Sequence, residues 1–99
     1  MSKTRPMVLE TSELEKQLGD LSAWQCQSGR LVRTLTFRNF ADALDFVNRV
    51  GKLAEEADHH PDILLHNWNQ VTLTLWTHDV GGLTMLDVNL AHKINAVVS

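Results

Sequence analysis

The sequence predicts a single-domain α+β fold of chain order αββαββα, a four-stranded antiparallel sheet with helices packed on one face. Two long stretches, Phe40 to Ala57 and Leu83 to Val97, repeat apolar residues at helical spacing. Shorter runs before and between them alternate apolar and polar side chains, the period of half-buried strands. The connections are short, which with helices gathered on one face gives an α+β sandwich. At 99 residues there is room for one domain and enough chain to bury a core without covalent staples.

Residues 1–10 lack a sustained period, and Pro6 disfavours a helix there, so this stretch is expected to be irregular. Ser12 and Glu15 have the spacing of a capping box, Leu14 and Leu18 lie at i, i+4, and Gly19 follows. A short helix over 12–18 is the result. Leu21 to Gln27 and Leu31 to Phe37 read as two strands of a hairpin turning at Ser28-Gly29. In the second, Leu31, Arg33, Leu35 and Phe37 share one side, and Val32, Thr34 and Thr36 the other. Cys26 lies in the first strand with no second cysteine, metal spacing or neighbouring base, so it is read as a half-buried packing residue. Trp24 is expected in the core or at an interface.

Asn39 is a good N-cap, and Phe40, Ala43, Leu44, Val47, Val50, Ala54 and Ala57 follow at helical spacing. That helix of about 18 residues would be ~27 Å long, enough to cross four strands. Glu55 and Glu56 near its end read as a solvated face, because acidic groups gain nothing at a helix carboxyl terminus. Beyond Pro61, Ile63 to His66 is a short strand. Trp68 to His78 then alternates, with Val71, Leu73, Leu75 and Thr77 on one side and Gln70, Thr72, Thr74, Trp76 and His78 on the other. Gly81-Gly82 ends it, and Leu83, Leu86, Leu90, Ile94 and Val97 mark the last helix. No internal repeat, low-complexity tract or linker interrupts the pattern.

Composition excludes several function classes. A formal charge of −3 argues against a binder of phosphate backbones, so direct nucleic-acid contact is not expected. The lone Cys26 cannot form an intrachain disulfide, and Met1-Ser2-Lys3-Thr4-Arg5 precedes no apolar run of signal-peptide length. A reducing, cytoplasmic compartment is the expectation. No stretch approaches the roughly 18 to 20 apolar residues of a membrane span, so a soluble protein without membrane contact is expected. One pointer remains: five histidines in a chain without tyrosine.

Two of the five sit in Asp58-His59-His60-Pro61-Asp62, where Pro61 removes a backbone donor and disfavours helix at His60, so the helical pattern must stop. Imidazole both gives and takes protons near neutrality, which makes this bend a candidate acid–base centre; the bland alternative is a polar helix exit at the surface. His78 lies at the outer end of the alternating strand, on the side that carries Trp76. If the strand after Pro61 returns beside the helix exit, all three share one cleft. A metal site is not expected: there is no HExxH, no CxxC and no paired carboxylate set, and adjacent histidines at a helix end rarely reach one ion.

Asp58-His59-His60-Pro61, then Trp68-Asn69-Gln70-Val71 running into Thr77-His78, then Gly82-Leu83-Thr84-x-x-Asp87-x-x-Leu90-Ala91, resemble the pterin-4a-carbinolamine dehydratase family. The resemblance spans residues 20–97, with three motifs in order. It implies the αββαββα fold and dehydration of 4a-hydroxytetrahydropterin to quinonoid dihydropterin, which recycles the pterin of aromatic amino-acid hydroxylases. It also implies that no metal or organic cofactor is used, that His59, His60 and His78 are catalytic, and that the motif acid is Asp87. It implies a homodimer or homotetramer. Two alternatives accompany it: a pterin-binding paralogue in molybdenum-cofactor metabolism, or a dimerisation and coactivator module, since some members serve a homeodomain transcription factor.

Chemistry independently asks for two proton-transfer groups, one for the departing hydroxyl and one for the neighbouring ring nitrogen. His60 and His78 are expected to be that pair, with His59 positioning the ring. Asp87 is either a substrate contact or a capping-box partner of Thr84. Trp68 and Trp76 are core residues or stack on a flat pterin. His66 and His92 are expected to be surface groups, while Leu64 and Leu65 shape the pocket or an interface.

Overall fold

The computed structural model describes residues 7–98, in the order α1 (Thr11–Leu18), β1 (Gln25–Gln27), β2 (Arg30–Thr36), α2 (Phe40–Ala57), β3 (Asp62–His66), β4 (Gln70–Leu75) and α3 (Met85–Val98). The strands form one antiparallel sheet of order β1-β2-β4-β3. The α+β class and αββαββα order are therefore those expected. Of the irregular stretch 1–10, residues 7–10 have no regular structure, and 1–6 lie outside the described residues.

β2 and β4 are the inner strands of the sheet, and the alternation of β4 shows which face is covered. Val71, Leu73 and Leu75 are fully buried, with Leu31 opposite Leu75 and Leu35 opposite Val71 on the same side. Ala43, Phe46, Val50 and Ala54 of α2, with Val88, Leu90, Ala91 and Ile94 of α3, close this face. Burying each of the larger side chains stabilises by about 1.5–3 kcal/mol relative to leaving it in water. The opposite face carries Thr34 and Thr72, whose hydroxyls lie 2.8 Å apart across the strands.

Several local expectations are corrected. Ser12 does not cap α1, which begins a residue earlier behind Glu10 with no side-chain cap. The first strand is three residues rather than seven, because Leu21 to Trp24 turn tightly to drop Leu21 and Trp24 into the core. Cys26 is exposed, since that short edge strand has no layer over it. The hairpin turn stands as expected, with Ser28 and Gly29 both left-handed, the geometry that matches strand twist. Asn39 does cap α2, its side chain accepting from the Asp42 amide at 2.8 Å. The buried stripe of α2 is rotated, however: Phe46 is inside while Phe40 and Leu44 are exposed. Leu86 likewise faces out of α3.

Two further tethers tie α3 to the hairpin and the stretch before α1 to the loop before α3. Asn95 Oδ1 accepts from Trp24 Nε1 at 2.8 Å and Arg33 Nη1 at 2.6 Å, joining α3 to the hairpin. Desolvation lowers the Arg33 pKa from its ordinary value. Before α3, Leu9 donates to the Leu83 carbonyl at 2.8 Å, and a Cβ at Gly82 would press to 3.2 Å from Val8.

Candidate active site

α2 ends on Asp58, which adopts the left-handed conformation (φ 49°, ψ 42°). Its amide reaches the Glu55 carbonyl, and the His59 amide reaches the Ala54 carbonyl at 3.1 Å. These are the two bonds of a Schellman stop, so the helix terminates three residues before Pro61 and carries His59 as part of its own cap. β3 begins directly after the proline, and Asp62 pairs with Thr74. The His59-His60 bend thus lies at the end of the sheet where β4 runs on into Trp76, Thr77 and His78.

Alternation then separates Thr77 from His78. Thr77 continues the buried side of β4 and is 4% exposed; its amide bonds the Gly82 carbonyl at 2.9 Å, closing a tight loop that passes through left-handed Gly81. Thr84 caps α3, its hydroxyl accepting from the Leu86 amide at 3.1 Å, while Asp87 Oδ2 accepts from the Thr84 amide at 3.0 Å. That is the expected capping box, but Asp87 does more. Its Oδ2 also accepts from Thr77 Oγ1 at 2.9 Å, and its Oδ1 lies 2.6 Å from His59 Nε2. Thr77 and Thr84 hydroxyls are 2.8 Å apart.

Among the described residues, the buried polar side chains are His59, Thr77, Thr84 and Asp87, and all four belong to this one knot. Burying a polar group without a partner costs roughly 1–3 kcal/mol, so such a cluster persists only if its members satisfy one another. A bend, a strand tip and a helix start are therefore fixed to each other.

The other expected site residues stand outside the knot. His60 is exposed and contacts the Glu55 carboxylate. His78 is exposed too, stacked on Trp76 with ring centroids 4.0 Å apart and planes 25° apart, and the Arg30 guanidinium carbon lies 4.0 Å from the Trp76 ring. Trp68 is not brought to the histidines: it is 59% exposed in the β3–β4 turn, a strand length of ~20 Å from the His78 end. His66 Nε2 lies 2.9 Å from Thr72 Oγ1 on the open sheet face, and His92 is exposed on α3. Leu64 is exposed and Leu65 packs against the core. A hollow of about 360 Å³ lined by Met7, Leu9, Thr84, Met85, Leu86 and Asn89 opens beside the start of α3, with none of the three histidines in its wall.

Glu55 and Thr77 were absent from the expected site. Glu55 reads in the sequence as part of a solvated face, and it is exposed, its carboxylate meeting His60 there. Thr77 had a readable signal: a hydroxyl at the end of an otherwise apolar alternation, Val71, Leu73, Leu75, must find a buried partner. No group of three or more His, Cys, Asp or Glu among the described residues is placed to hold a metal ion, and no helix there is long and apolar enough to cross a membrane.

A small α+β protein with a histidine–carboxylate knot at one end of its sheet is the class that fold and site define. Its sequence matches the model of the family described as pterin 4 alpha carbinolamine dehydratase over residues 7–97, and the chain belongs to that family. Two relatives bear the name "Putative pterin-4-alpha-carbinolamine dehydratase". The one from Thermomicrobium roseum is 45% identical over 92% of this chain and 97% of its own, and the one from Sulfolobus acidocaldarius 38% identical over 92% and 99%. A crystal structure described as a transcriptional coactivator/pterin dehydratase from Brucella melitensis superposes with a TM-score of 0.87 at 34% identity, covering 94% of this chain and all of that one.

Proposed function

We propose that this protein dehydrates a 4a-hydroxytetrahydropterin to the quinonoid dihydropterin, the step that recycles the pterin of aromatic amino-acid hydroxylases. The observation that carries the reading is a buried histidine held by a carboxylate at the same end of the sheet as two exposed histidines, in a member of a dehydratase family. In this reading His59, His60 and His78 surround the pterin. One imidazole protonates the departing hydroxyl, another accepts the ring N–H proton, and the third positions the substrate. Trp76, braced by Arg30 and His78, offers the aromatic surface on that side. Asp87, with both oxygens engaged inside, acts through His59 rather than on the substrate.

The test is a spectroscopic dehydration assay on the purified protein, with His59→Ala, His60→Ala and His78→Ala compared singly. Each positioned proton-transfer group is worth roughly 10²–10⁴-fold, so at least two variants should lose that much turnover. Wild-type rates in all three would sink the assignment. The reading uses no metal or organic cofactor, so chelator treatment should leave the rate unchanged. Running the assay with related pterins distinguishes this substrate from a molybdenum-cofactor pterin.

We also propose that the protein is a cytoplasmic homodimer or homotetramer. Exposed Phe40 and Leu44 on the outer side of α2 support self-association, and the exposed, unpaired Cys26 suits a reducing compartment. Light scattering on the wild type and on Leu44→Asp tests the first. A coactivator role is a second reading, favoured by the description of the Brucella melitensis structure. A variant that loses partner binding and keeps the dehydration rate would separate it from catalysis.

A further inference from the structure

The hydrogens of the buried knot can be counted. Thr77 has one hydroxyl hydrogen and gives it to Asp87 Oδ2, so its contact with Thr84 must use the Thr84 hydroxyl hydrogen. The Thr84 amide also donates to Oδ2. That oxygen receives two donors and cannot carry a proton of its own, because no acceptor faces it. Oδ1 faces His59 Nε2 alone. One proton lies between those two atoms, and with Oδ2 already taking two donors it sits on Nε2, which donates to Oδ1. The other ring nitrogen is equally constrained. Among the described residues His59 Nδ1 has no hydrogen-bond partner, and no buried side-chain nitrogen or oxygen there lacks one, so Nδ1 reaches solvent.

We propose that Asp87, oriented by Thr77 and Thr84, is a positioning residue that holds His59 as the Nε2–H tautomer and turns a bare Nδ1 outward as the proton acceptor of the dehydration. This rests on the dehydratase reading and departs from the expectation that His60 and His78 form the acid–base pair. Nδ1 takes the proton from the ring nitrogen beside C4a, and the nitrogen's electron pair forms the new C=N bond. The C4a–O bond breaks with its pair on oxygen, and a proton from an exposed imidazole, His60 or His78, completes the water. The imidazolium formed at His59 sits against the Asp87 carboxylate, and its gained proton returns to the donor through solvent.

The variant that isolates this device is Asp87→Asn. Thr77 and the Thr84 amide need an acceptor, so the Asn carbonyl takes the place of Oδ2 and its amide group faces His59 Nε2. Nε2 must then accept, and the ring proton moves to Nδ1. Nitrogen-15 NMR of histidine-labelled protein should find His59 with protonated Nε2 and bare Nδ1 in the wild type, and the reverse in Asp87→Asn. Dehydration in the variant should fall on the order of 10²-fold or more. A wild-type His59 with bare Nε2 overturns the proposal by itself, even if the variant does not fold. A folded variant with the wild-type tautomer overturns it too. A wild type with the expected tautomer and no dehydration of a 4a-hydroxytetrahydropterin ends the acceptor role together with the dehydratase reading, and leaves the tautomer assignment standing.

Discussion

His59 and His60 are neighbours in the chain, and each ring meets a carboxylate, yet the two contacts are physically different. His59 is 8% exposed and its partner Asp87 is fully buried; His60 and its partner Glu55 are both exposed. Water competes for every donor and acceptor of the outer pair and screens its charges, so the contact is worth about 0–1 kcal/mol at most. Asp87 has no surface open to bulk solvent, so a bond lost there is not readily replaced. The inner pair is thus a structural commitment that fixes a ring, while the outer pair is a solvated contact at the surface.

The sharpest way to break this comparison is to delete each carboxylate. Asp87→Ala strands the His59 ring, the Thr77 hydroxyl and the Thr84 amide, and with each buried group left unpaired costing about 1–3 kcal/mol, partial relaxation should leave a loss of roughly 3 kcal/mol. Glu55→Ala should cost under about 1 kcal/mol. Urea unfolding of both variants measures the difference, and equal losses would mean that burial does not separate the two sites.

Thr77→Val sharpens it. The change keeps volume but removes the hydroxyl that donates to Asp87 and accepts from Thr84, so it should destabilise by roughly 1–3 kcal/mol in the same measurement. Thr77→Ser should recover most of that. A neutral Thr77→Val would show that the Thr84 amide and His59 hold Asp87 without the Thr77 hydroxyl.

How much of this was legible beforehand follows from the range of the interactions. The period of β4 is a local property, and Val71, Leu73 and Leu75 announced their burial in the sequence. The capping box of Thr84 and Asp87, three residues apart, was legible for the same reason. The contact of Asp87 with His59 spans 28 residues and depends on how β4 returns beside the end of α2, which no local period encodes. Pro61 is the strongest breaker in the sequence and predicts the stop of α2; the actual stop uses a left-handed aspartate, a conformation whose usual occupant is glycine. The rotation of the α2 stripe has a similar origin. Phe40, Phe46 and Leu44 are all apolar, and only the position of α3 and the sheet decides which is covered.

That left-handed Asp58 sets up the smallest effect. A non-glycine residue there carries a left-handed penalty of about 1–2 kcal/mol, less for aspartate, whose short side chain tolerates the conformation. Asp58→Gly removes that penalty but adds freedom to the unfolded chain worth about 0.4–1 kcal/mol. The two nearly cancel, and unfolding free energy should move by less than about 0.5 kcal/mol. Because the cap bonds of residues 58 and 59 are made by backbone, the ring of His59 should stay on Asp87, with its tautomer and the dehydration rate unchanged. Asp58→Val has no such compensation, since a β-branched side chain fits the left-handed slot poorly, and should cost more than 1 kcal/mol. If Asp58→Gly instead released His59 from Asp87, the inner site would depend on the Asp58 side chain, and the inner and outer histidines would differ by less than their burial implies.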